Sequence, residues 1–414
     1  MDLHASLTAL SALLARHEAL WRTRPFVEDP PRWAAEHPEV AAWCLGLSPA
    51  ELAALEDGAA PDPSAPATVL GWHDEIHAAL PELASPPPPR PLDRRLAWQI
   101  PERKQRQVEA FLAALTEPAA GPASNSRRMR ILDWCGGKGH LGRTLGATTG
   151  LPVTVIERES AYREPALTLA TRAGATVHFH AADALATPPE VLSRDTLAVG
   201  LHACGELGQR LLAHAAATGA EVALAPCCLH KIGSLGPDTD DAPRRFVPRS
   251  ALGRSLDPRF DHSALRLATS DEVVARPALR DSRRRENAFR LALDQLLRDA
   301  SGRDAYTPLG TLPGHLLAGD FAHFAKGAAE HLGLLLPPFD PVAALAVGVH
   351  RARRARALGV VRTLFRRAIE VWCALDQAAF LVEHGREVSV QILFPRAISP
   401  RNLLVVSLAV HRPA

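Results

Sequence analysis

The sequence predicts an α/β fold built on a mainly parallel, doubly wound sheet, and three patterns lead to this prediction. From residue 129 onward, short apolar strands alternate with helical stretches. A cluster of glycines follows the first strand at once, and acidic residues end three of the strands. Strand–helix alternation is typical of a parallel sheet that is covered by helices on both faces. Right-handed crossovers then give a Rossmann-like arrangement.

Seven strands are predicted from short runs of apolar and β-branched residues bounded by turn formers. The seven are Met129–Leu132, Val153–Ile156, Thr176–His180, Thr196–Leu201, Glu221–Ala225, Val388–Phe394 and Asn402–Val410. The link between the last two, residues 395–400, is short, which suits an antiparallel pair. The expected sheet therefore has five parallel strands and a terminal antiparallel hairpin.

Helical periodicity of apolar residues predicts helices between the strands and on either side of them. They lie at 6–20, 48–56, 101–116, 139–147, 160–173, 206–217, 286–299, 319–335 and 355–384. The last of these ends before Gly385, because glycine is favoured directly after a helix.

The order of these elements divides the chain into four predicted segments. Residues 1–94 form a helical N-terminal region with a Pro-rich linker, and 95–228 form the first part of the sheet domain. Residues 229–349 form a Pro- and Arg-rich helical insertion. Residues 350–414 supply the last helix and the last two strands.

Composition limits the possible function classes. The chain has 414 residues, of which 47% are hydrophobic and 22% charged, and its formal net charge is +2. This balance does not by itself indicate a nucleic acid or a membrane as partner. The sequence shows neither a signal peptide nor a stretch long and apolar enough to span a bilayer. Its six cysteines do not form a disulfide framework, so we expect a cytoplasmic protein. The oligomeric state is not indicated.

The first strand leads into an unusual glycine cluster. Residues 131–142 read ILDWCGGKGHLG. Glycines at this point let the backbone bend sharply or approach a ligand closely. Gly137–Gly142 formally matches the Gly-x-Gly-x-x-Gly of dinucleotide-binding loops, although the match starts late in the motif. A phosphate-binding Walker loop is excluded, because Gly139 stands where Ser or Thr is needed.

Acidic residues at three strand ends suggest what the loop binds. Asp133, Glu157 and Asp183 end the first three strands, where open α/β sheets place their ligand crevice. An acid after the second strand suits a ribose diol, and one after the third can accept a hydrogen bond from an exocyclic amine of adenine. The alternative is that these acids cap the following helices.

Three motifs together resemble a divergent group of class I methyltransferases. They are DWCGGKGHLG at 133–142, LHACGEL at 201–207 and PCCLHK at 226–231. The group includes methyltransferase-like proteins with a Gly-Lys-Gly-His/Tyr-Leu motif and is similar to tRNA 2′-O-methyltransferases. The stretch Ile100–Val108 resembles the basic helix before the first strand of that group, and Ser399–Asn402 resembles its Ser-Pro-Arg-Asn ending.

The resemblance implies S-adenosylmethionine as methyl donor and makes RNA a plausible acceptor, with a ribose hydroxyl of tRNA or rRNA as the candidate position. The implied cofactor-binding residues are Asp133, Cys135, Gly136, Gly137, Lys138, Gly139, Glu157, Asp183 and His202. The candidate catalytic residues follow the fourth and fifth strands and are His202, Cys204, Cys228 and His230. Two alternatives stay open: a methyltransferase for a small molecule or protein, and a non-catalytic scaffold with the same fold.

Two further clusters have competing explanations. Cys135, Cys204, Cys227 and Cys228 follow strands one, four and five, and thiolates suit zinc. However, no Cys-x-x-Cys spacing is present and adjacent cysteines chelate awkwardly, so we predict no metal ligands. The arginines of 351–367 and 283–285 suit phosphate backbones, or else they form a solvated helix face in an arginine-biased protein.

Overall fold

A computed structural model gives the architecture and confirms the predicted fold class. It describes residues 2–84, 88–116, 128–233, 246–270 and 275–408. Seven strands form one sheet: β1 (Arg130–Trp134), β2 (Val153–Glu157), β3 (Val177–Ala181), β4 (Thr196–Leu201), β5 (Glu221–Ala225), β6 (Ser389–Ile392) and β7 (Leu403–Ser407). Their order is β3-β2-β1-β4-β5-β7-β6.

The pairing within the sheet is parallel from β3 to β5 and antiparallel at the far edge. Ile131 of β1 pairs with Val153 of β2 on one side and Leu197 of β4 on the other. β7 runs antiparallel to both β5 and β6. Every residue of β4 and β5 is buried, as expected for central strands covered on both faces.

The helices lie before, between and after the strands. In the described residues they are α1 (Leu3–Arg16), α2 (Glu18–Arg22), α3 (Trp33–Glu36), α4 (Pro38–Gly46), α5 (Pro49–Glu56), α6 (Ala67–Ala79), α7 (Glu102–Thr116), α8 (His140–Thr149), α9 (Arg163–Ala173), α10 (Glu206–Thr218), α11 (Ala251–Leu256), α12 (His262–Ala268), α13 (Pro277–Ser301), α14 (Phe321–Leu332), α15 (Pro341–Leu358), α16 (Val360–Thr363) and α17 (Arg366–Glu383). None of these helices is long and apolar enough to cross a membrane.

The chain forms two compact units. The sheet unit comprises 1–16, 78–270 and 366–414, and the helical unit comprises 17–77 and 271–365. This grouping differs from the four segments predicted from sequence. Residues 85–87 of the predicted Pro-rich linker, and 234–245 and 271–274 of the predicted insertion, lie outside the described residues.

The sheet unit includes chain segments that the sequence analysis placed elsewhere. Helix α1 joins it, and Ser11 accepts a hydrogen bond from Trp372 Nε1 of α17 at 2.8 Å. The segment before α11 joins it through Asp376, a fully buried carboxylate. Asp376 accepts hydrogen bonds from the backbone N–H groups of Arg249 and Ser250 at 2.8 and 3.0 Å. Burying a carboxylate is costly unless it is hydrogen-bonded, so these bonds fix residues 249–250 beside α17.

The predicted helix over 355–384 is wrong in its extent, because α15, α16 and α17 occupy this region. Asp340 caps the start of α15, where its Oδ1 accepts from the N–H of Val342 at 2.8 Å. After Gly359 the hydrogen bonds tighten to an i→i+3 pattern, with the N–H of Phe365 donating to Arg362 O at 3.2 Å. The long helix is therefore broken twice before α17 begins.

Candidate active site

The carboxyl ends of the parallel strands meet at one edge of the sheet. The strand order reverses between β1 and β4, because β2 and β3 follow β1 on one side of it whereas β4 and β5 lie on the other side. The loops after β1 and β4 therefore diverge and leave a crevice. The tips of β1, β2 and β3 form one side, which we call the carboxylate half. The tips of β4 and β5 form the other side, which we call the thiol–histidine half.

The loop after β1 turns through three residues in left-handed backbone conformations. Cys135, Gly137 and Gly139 have φ angles of 57°, 59° and 64°. The turn is closed by the N–H of Gly139, which donates to Gly136 O at 2.9 Å. Cys135 is not a glycine, so its conformation stores about 1–3 kcal/mol of strain, a feature that is frequent at functional sites.

Asp133 is buried beneath this loop, and its carboxylate leaves no space for a side chain at two of the loop's glycines. Its Oδ2 accepts a hydrogen bond from the N–H of Gly142 at 2.9 Å. A Cβ atom on Gly136 or on Gly142 would lie 2.6 or 2.8 Å from that oxygen. Burial raises the pKa of Asp133 to about 6, although the Gly142 N–H and the charge of Lys104 oppose the shift. Gly136 thus makes room for Asp133.

Gly137 is the glycine of this loop that faces open space. A Cβ atom there would meet no atom within 4 Å. Its N–H donates to Glu157 Oε2 at 3.0 Å, and Glu157 Oε1 accepts from the N–H of Glu159 at 3.0 Å. The loop therefore holds the half-buried carboxylate of Glu157 beside an open stretch of backbone.

The remaining residues of the carboxylate half lie around Cys135. Burial, followed by the negative charges of Glu157 and Asp133 and the weaker influence of Asp183, raises the pKa of the Cys135 thiol to about 12. Asp183 is exposed, and its Oδ1 accepts from the N–H of Leu185 at 3.0 Å. The three predicted acids therefore lie near one thiol. The side chain of Lys138, also predicted to bind the cofactor, is exposed.

His202 is the central side chain of the thiol–histidine half. Its φ of 71° is a second non-glycine left-handed conformation at a strand tip. Its Nε2 lies 2.9 Å from Gln107 Oε1 of α7. With the Gln107 amide in this orientation its oxygen accepts, which assigns the hydrogen to His202 Nε2 and a lone pair to Nδ1, and the buried Nε2 of Gln107 has no hydrogen-bond partner among the described residues. Burial, together with the positive charges of Lys104, Arg103 and Arg401, lowers the pKa of His202 to about 4.

The loops after β4 and β5 pack tightly against each other. Gly205 has a φ of 56°, and a Cβ atom on it would lie 2.5 Å from the backbone carbon of Lys231. The thiol of Cys204 donates to His202 O at 3.1 Å. The Sγ atoms of Cys204 and Cys227 are 2.9 Å apart, and those of Cys227 and Cys228 are 3.7 Å apart.

His230 is held by a different neighbour. It lies in a short 3₁₀ turn, Leu229–Lys231, and its Nδ1 is 3.0 Å from Thr269 Oγ1. Its ring contacts the edge of His262 at a centroid distance of 5.9 Å. Burial lowers the pKa of His230. These contacts tie His230 to α12 and the turn that follows it.

A comparison with known families matches the part of the chain that contains the crevice. Residues 103–234 match a family model described as a methyltransferase domain. The chain carries a methyltransferase domain. The matched segment runs from the first turn of α7 to the loop after β5, so it contains both halves of the crevice. No solved structure gives a significant match to the chain.

The methyltransferase domain uses polar residues of α7 that the sequence analysis did not predict. Lys104 is half-buried, and burial lowers its pKa against the opposing charges of Asp133 and Cys227, which belong to the two halves. Gln107 is buried and hydrogen-bonds His202. In the sequence, Gln107 lies one turn before Ala110 and Phe111 of the apolar helix face, and that position was the signal available.

Arg401 comes to the methyltransferase domain from outside the matched segment. It precedes Asn402, whose Nδ2 donates to Phe394 O and whose Oδ1 accepts from Arg367 Nη1, both at 2.9 Å. These bonds fix the loop before β7. Arg401 is close enough to lower the pKa values of His202 and Arg103, so the Ser-Pro-Arg-Asn stretch lies near the thiol–histidine half.

Many arginines of the predicted phosphate-binding cluster at 351–367 have partners within the chain. Arg351 Nη2 and Arg354 Nε pair with Asp294 Oδ2 and Asp29 Oδ1 at 2.9 and 2.7 Å. Arg356 Nε donates to Glu56 Oε1 at 2.7 Å. These pairs lie within the helical unit and stabilise it, which favours the structural explanation for this cluster.

Proposed function

We propose that the chain is an S-adenosylmethionine-dependent methyltransferase that acts on RNA. The methyltransferase domain supplies the reaction class. The carboxylate half supports the donor, and the charge around His202 supports the acceptor. The proposal uses only residues of the sheet unit.

The carboxylate half fits the donor in its chemistry. Each oxygen of Glu157 accepts one backbone N–H and keeps a second lone pair, so the carboxylate can also accept from both hydroxyls of a ribose. The open space at Gly137 lets the backbone approach the amino-acid end of the donor. Asp183 is exposed and able to accept from the adenine amine. When bound, the sulfonium supplies an electrophilic methyl group.

The observation that carries the RNA proposal is the set of cations around His202. Arg103, Lys104 and Arg401 all act on the pKa of this one histidine, in a chain whose net charge is only +2. Concentrated positive charge beside a reaction crevice attracts phosphates. Arg103 and Lys104 come from the start of α7 and Arg401 from the loop before β7, so the cations come from two distant segments.

His202 can receive a proton from a hydroxyl, although a pKa of about 4 makes it a weak base whose action depends on the cations around it. Its pKa of about 4 keeps the imidazole neutral at physiological pH, and the bond to Gln107 leaves Nδ1 as the acceptor. We propose that Nδ1 takes the proton of a ribose hydroxyl as the hydroxyl oxygen bonds to the donor methyl carbon, with S-adenosylhomocysteine as the leaving group, while the nearby cations stabilise negative charge that develops on the oxygen. Cys204, Cys228 and His230 remain candidate residues of the same loops, with His230 positioned by Thr269.

The donor proposal is tested by calorimetric titration of the full chain with S-adenosylmethionine, S-adenosylhomocysteine and NAD. We expect both sulfur compounds to bind and NAD not to bind. Binding of NAD alone would contradict the donor assignment.

The acceptor proposal is tested with S-adenosylmethionine carrying a radiolabelled methyl group and total RNA or lysate protein as acceptor. We expect label in the acid-insoluble fraction that is released by ribonuclease and survives protease. Alkali-resistant dinucleotides would identify a ribose 2′-oxygen as the modified atom. Label released by protease instead would identify a protein acceptor.

A further inference from the structure

The three thiols of the thiol–histidine half form a compact group. The Sγ atoms of Cys204, Cys227 and Cys228 all lie within 4.8 Å of one another. Four thiolates around zinc, with Zn–S distances of about 2.3 Å, stand about 3.8 Å apart along each edge of a tetrahedron. The separation of Cys227 and Cys228, 3.7 Å, matches such an edge. The separation of Cys204 and Cys227, 2.9 Å, would have to open by about 0.9 Å.

We propose that Cys204, Cys227 and Cys228 bind one thiophilic divalent cation of the zinc class, which joins the loops after β4 and β5. This site does not depend on the proposed RNA acceptor or on the proposed donor. It differs from the sequence-based prediction, which assigned no metal ligands.

The local backbone removes the objection that adjacent cysteines chelate poorly. Consecutive side chains of an extended strand point to opposite faces, which would separate the two thiols. At Cys228 the chain has left the strand, with φ and ψ of −95° and 69°, and enters a 3₁₀ turn. This change of direction is what brings the Sγ atoms of Cys227 and Cys228 to the same side.

The third ligand is held in place by contacts that do not involve a metal. Gly205 packs directly on the backbone of Lys231, which fixes the β4 loop against the β5 loop. The thiol of Cys204 is oriented by the carbonyl of His202. A site whose ligands are positioned in advance loses less conformational entropy when it binds an ion.

The charge balance and the ligand count point to an open site. Three thiolates on a divalent cation give a net charge of −1, and Lys104 and Lys231 lie near enough to interact with Cys227 and Cys204. Within the described part of the chain, no further His, Cys, Asp or Glu atom joins the group. Three protein ligands leave the fourth position of a tetrahedral ion for water or another ligand.

The test uses the full chain, purified under reducing conditions without chelator and loaded with zinc chloride or cobalt chloride alone. We expect about one zinc per chain by elemental analysis and a thiolate-to-cobalt charge-transfer band. Cys204→Ser, Cys227→Ser and Cys228→Ser should each lower zinc affinity at least tenfold and weaken the band. Cys135→Ser, which changes a thiol of the same crevice, should leave both unchanged.

A second measurement needs no variant and so does not depend on whether the variants fold. Zinc should slow the alkylation of Cys204, Cys227 and Cys228, mapped by mass spectrometry, without changing that of Cys135. Absence of the cobalt band and of this protection would overturn the proposal. So would a Cys204–Cys227 disulfide in protein kept anaerobic throughout, because those thiols would then be oxidised and unable to bind zinc as a pair.

Discussion

The two halves of the crevice are built in different ways. In the carboxylate half, Glu157 is held by backbone N–H groups only two and twenty residues away, and Asp133 by one nine residues away. In the thiol–histidine half, His202 depends on Gln107, which is 95 residues away, and on Arg401 beyond the matched domain. The first half is assembled from neighbouring strand ends, whereas the second needs side chains from distant parts of the chain.

This difference has a functional consequence. Because the carboxylate half is built from backbone hydrogen bonds, most of its side chains can be replaced if its glycines and acids remain. A half that is built from side-chain contacts can change its acceptor by replacing a few residues. We therefore expect substitutions in the carboxylate half to affect donor affinity and those in the thiol–histidine half to affect rate and acceptor binding.

The largest expected effect separates these roles at His202, which the family resemblance assigns to both the cofactor-binding and the catalytic residues and which we propose acts on the acceptor. His202→Ala should lower kcat about 100-fold or more, since it removes the proposed general base, while the Kd for S-adenosylmethionine changes less than threefold. The measurement is steady-state methyl transfer with a parallel donor titration. His178→Ala, an exposed histidine of β3, is the control. An equal loss of donor affinity would show that the halves are not separable.

The second effect concerns Glu157. Glu157→Ala should weaken S-adenosylmethionine binding at least about 100-fold, because two charge-assisted hydrogen bonds to the ribose are each worth about 1.5 kcal/mol or more. Calorimetry measures the change, and Glu159→Ala, two residues further on, should stay within about twofold of the parent. Unchanged affinity in Glu157→Ala would mean that the donor ribose lies elsewhere.

A smaller effect is expected for the cations. Arg103→Gln should reduce the slope of log K against log salt for RNA by about 0.7–0.9, the value for one lost phosphate contact. Filter binding at several salt concentrations gives the slope. Arg303→Gln, an exposed arginine in the loop after α13, should leave it unchanged. Equal slopes for Arg103→Gln and the parent would contradict the phosphate role of this residue.

The smallest effect is a shift in pH dependence. A folded pKa of about 4 for His202, against an ordinary value near 6.5, keeps the base neutral above about pH 4, so kcat/KM should fall only on acidification toward that value. Lys104→Met removes a cation that lowers this pKa and should move the acidic limb to higher pH. Lys326→Met is the control. An inflection near 6.5 in the parent would contradict the proposed environment of His202.

The lowered pKa of His202 also makes the free energy of unfolding depend on pH. Between about pH 6.5 and 4 the unfolded chain binds a proton at His202 and the folded chain does not, so this group's contribution to stability falls as pH falls through that window. Circular dichroism at each pH must therefore accompany the rate profile.

The sequence was sufficient where local pattern decides the structure. All seven strands lie within a few residues of their predicted places, because apolar runs and turn residues mark them. The three acids converge as predicted, because parallel strands end at one edge. The helix over 355–384 was wrong, because apolar periodicity continues across Gly359 and Phe365 while the backbone turns.

Other features could not be predicted from the sequence, because they depend on contacts between distant parts of the chain. The partnership of Gln107 with His202 joins two segments whose spacing carries no pattern. The acidic partners of Arg351 and Arg354, Asp294 and Asp29, come from different parts of the chain. The sequence placed Cys204, Cys227 and Cys228 at the ends of neighbouring strands, but their close Sγ separations depend on the packing of Gly205 on Lys231, which motif spacing does not reveal.

The place of β7 in the sheet has a consequence for biosynthesis. Leu224 of β5 pairs with Val405 of β7, so one edge of β5 stays unpaired until roughly 180 further residues have been made. At about 5–20 residues per second, this interval lasts roughly 9–36 s on the ribosome. Throughout it β5 lacks its neighbour β7, so this edge of the strand is open to other pairing partners.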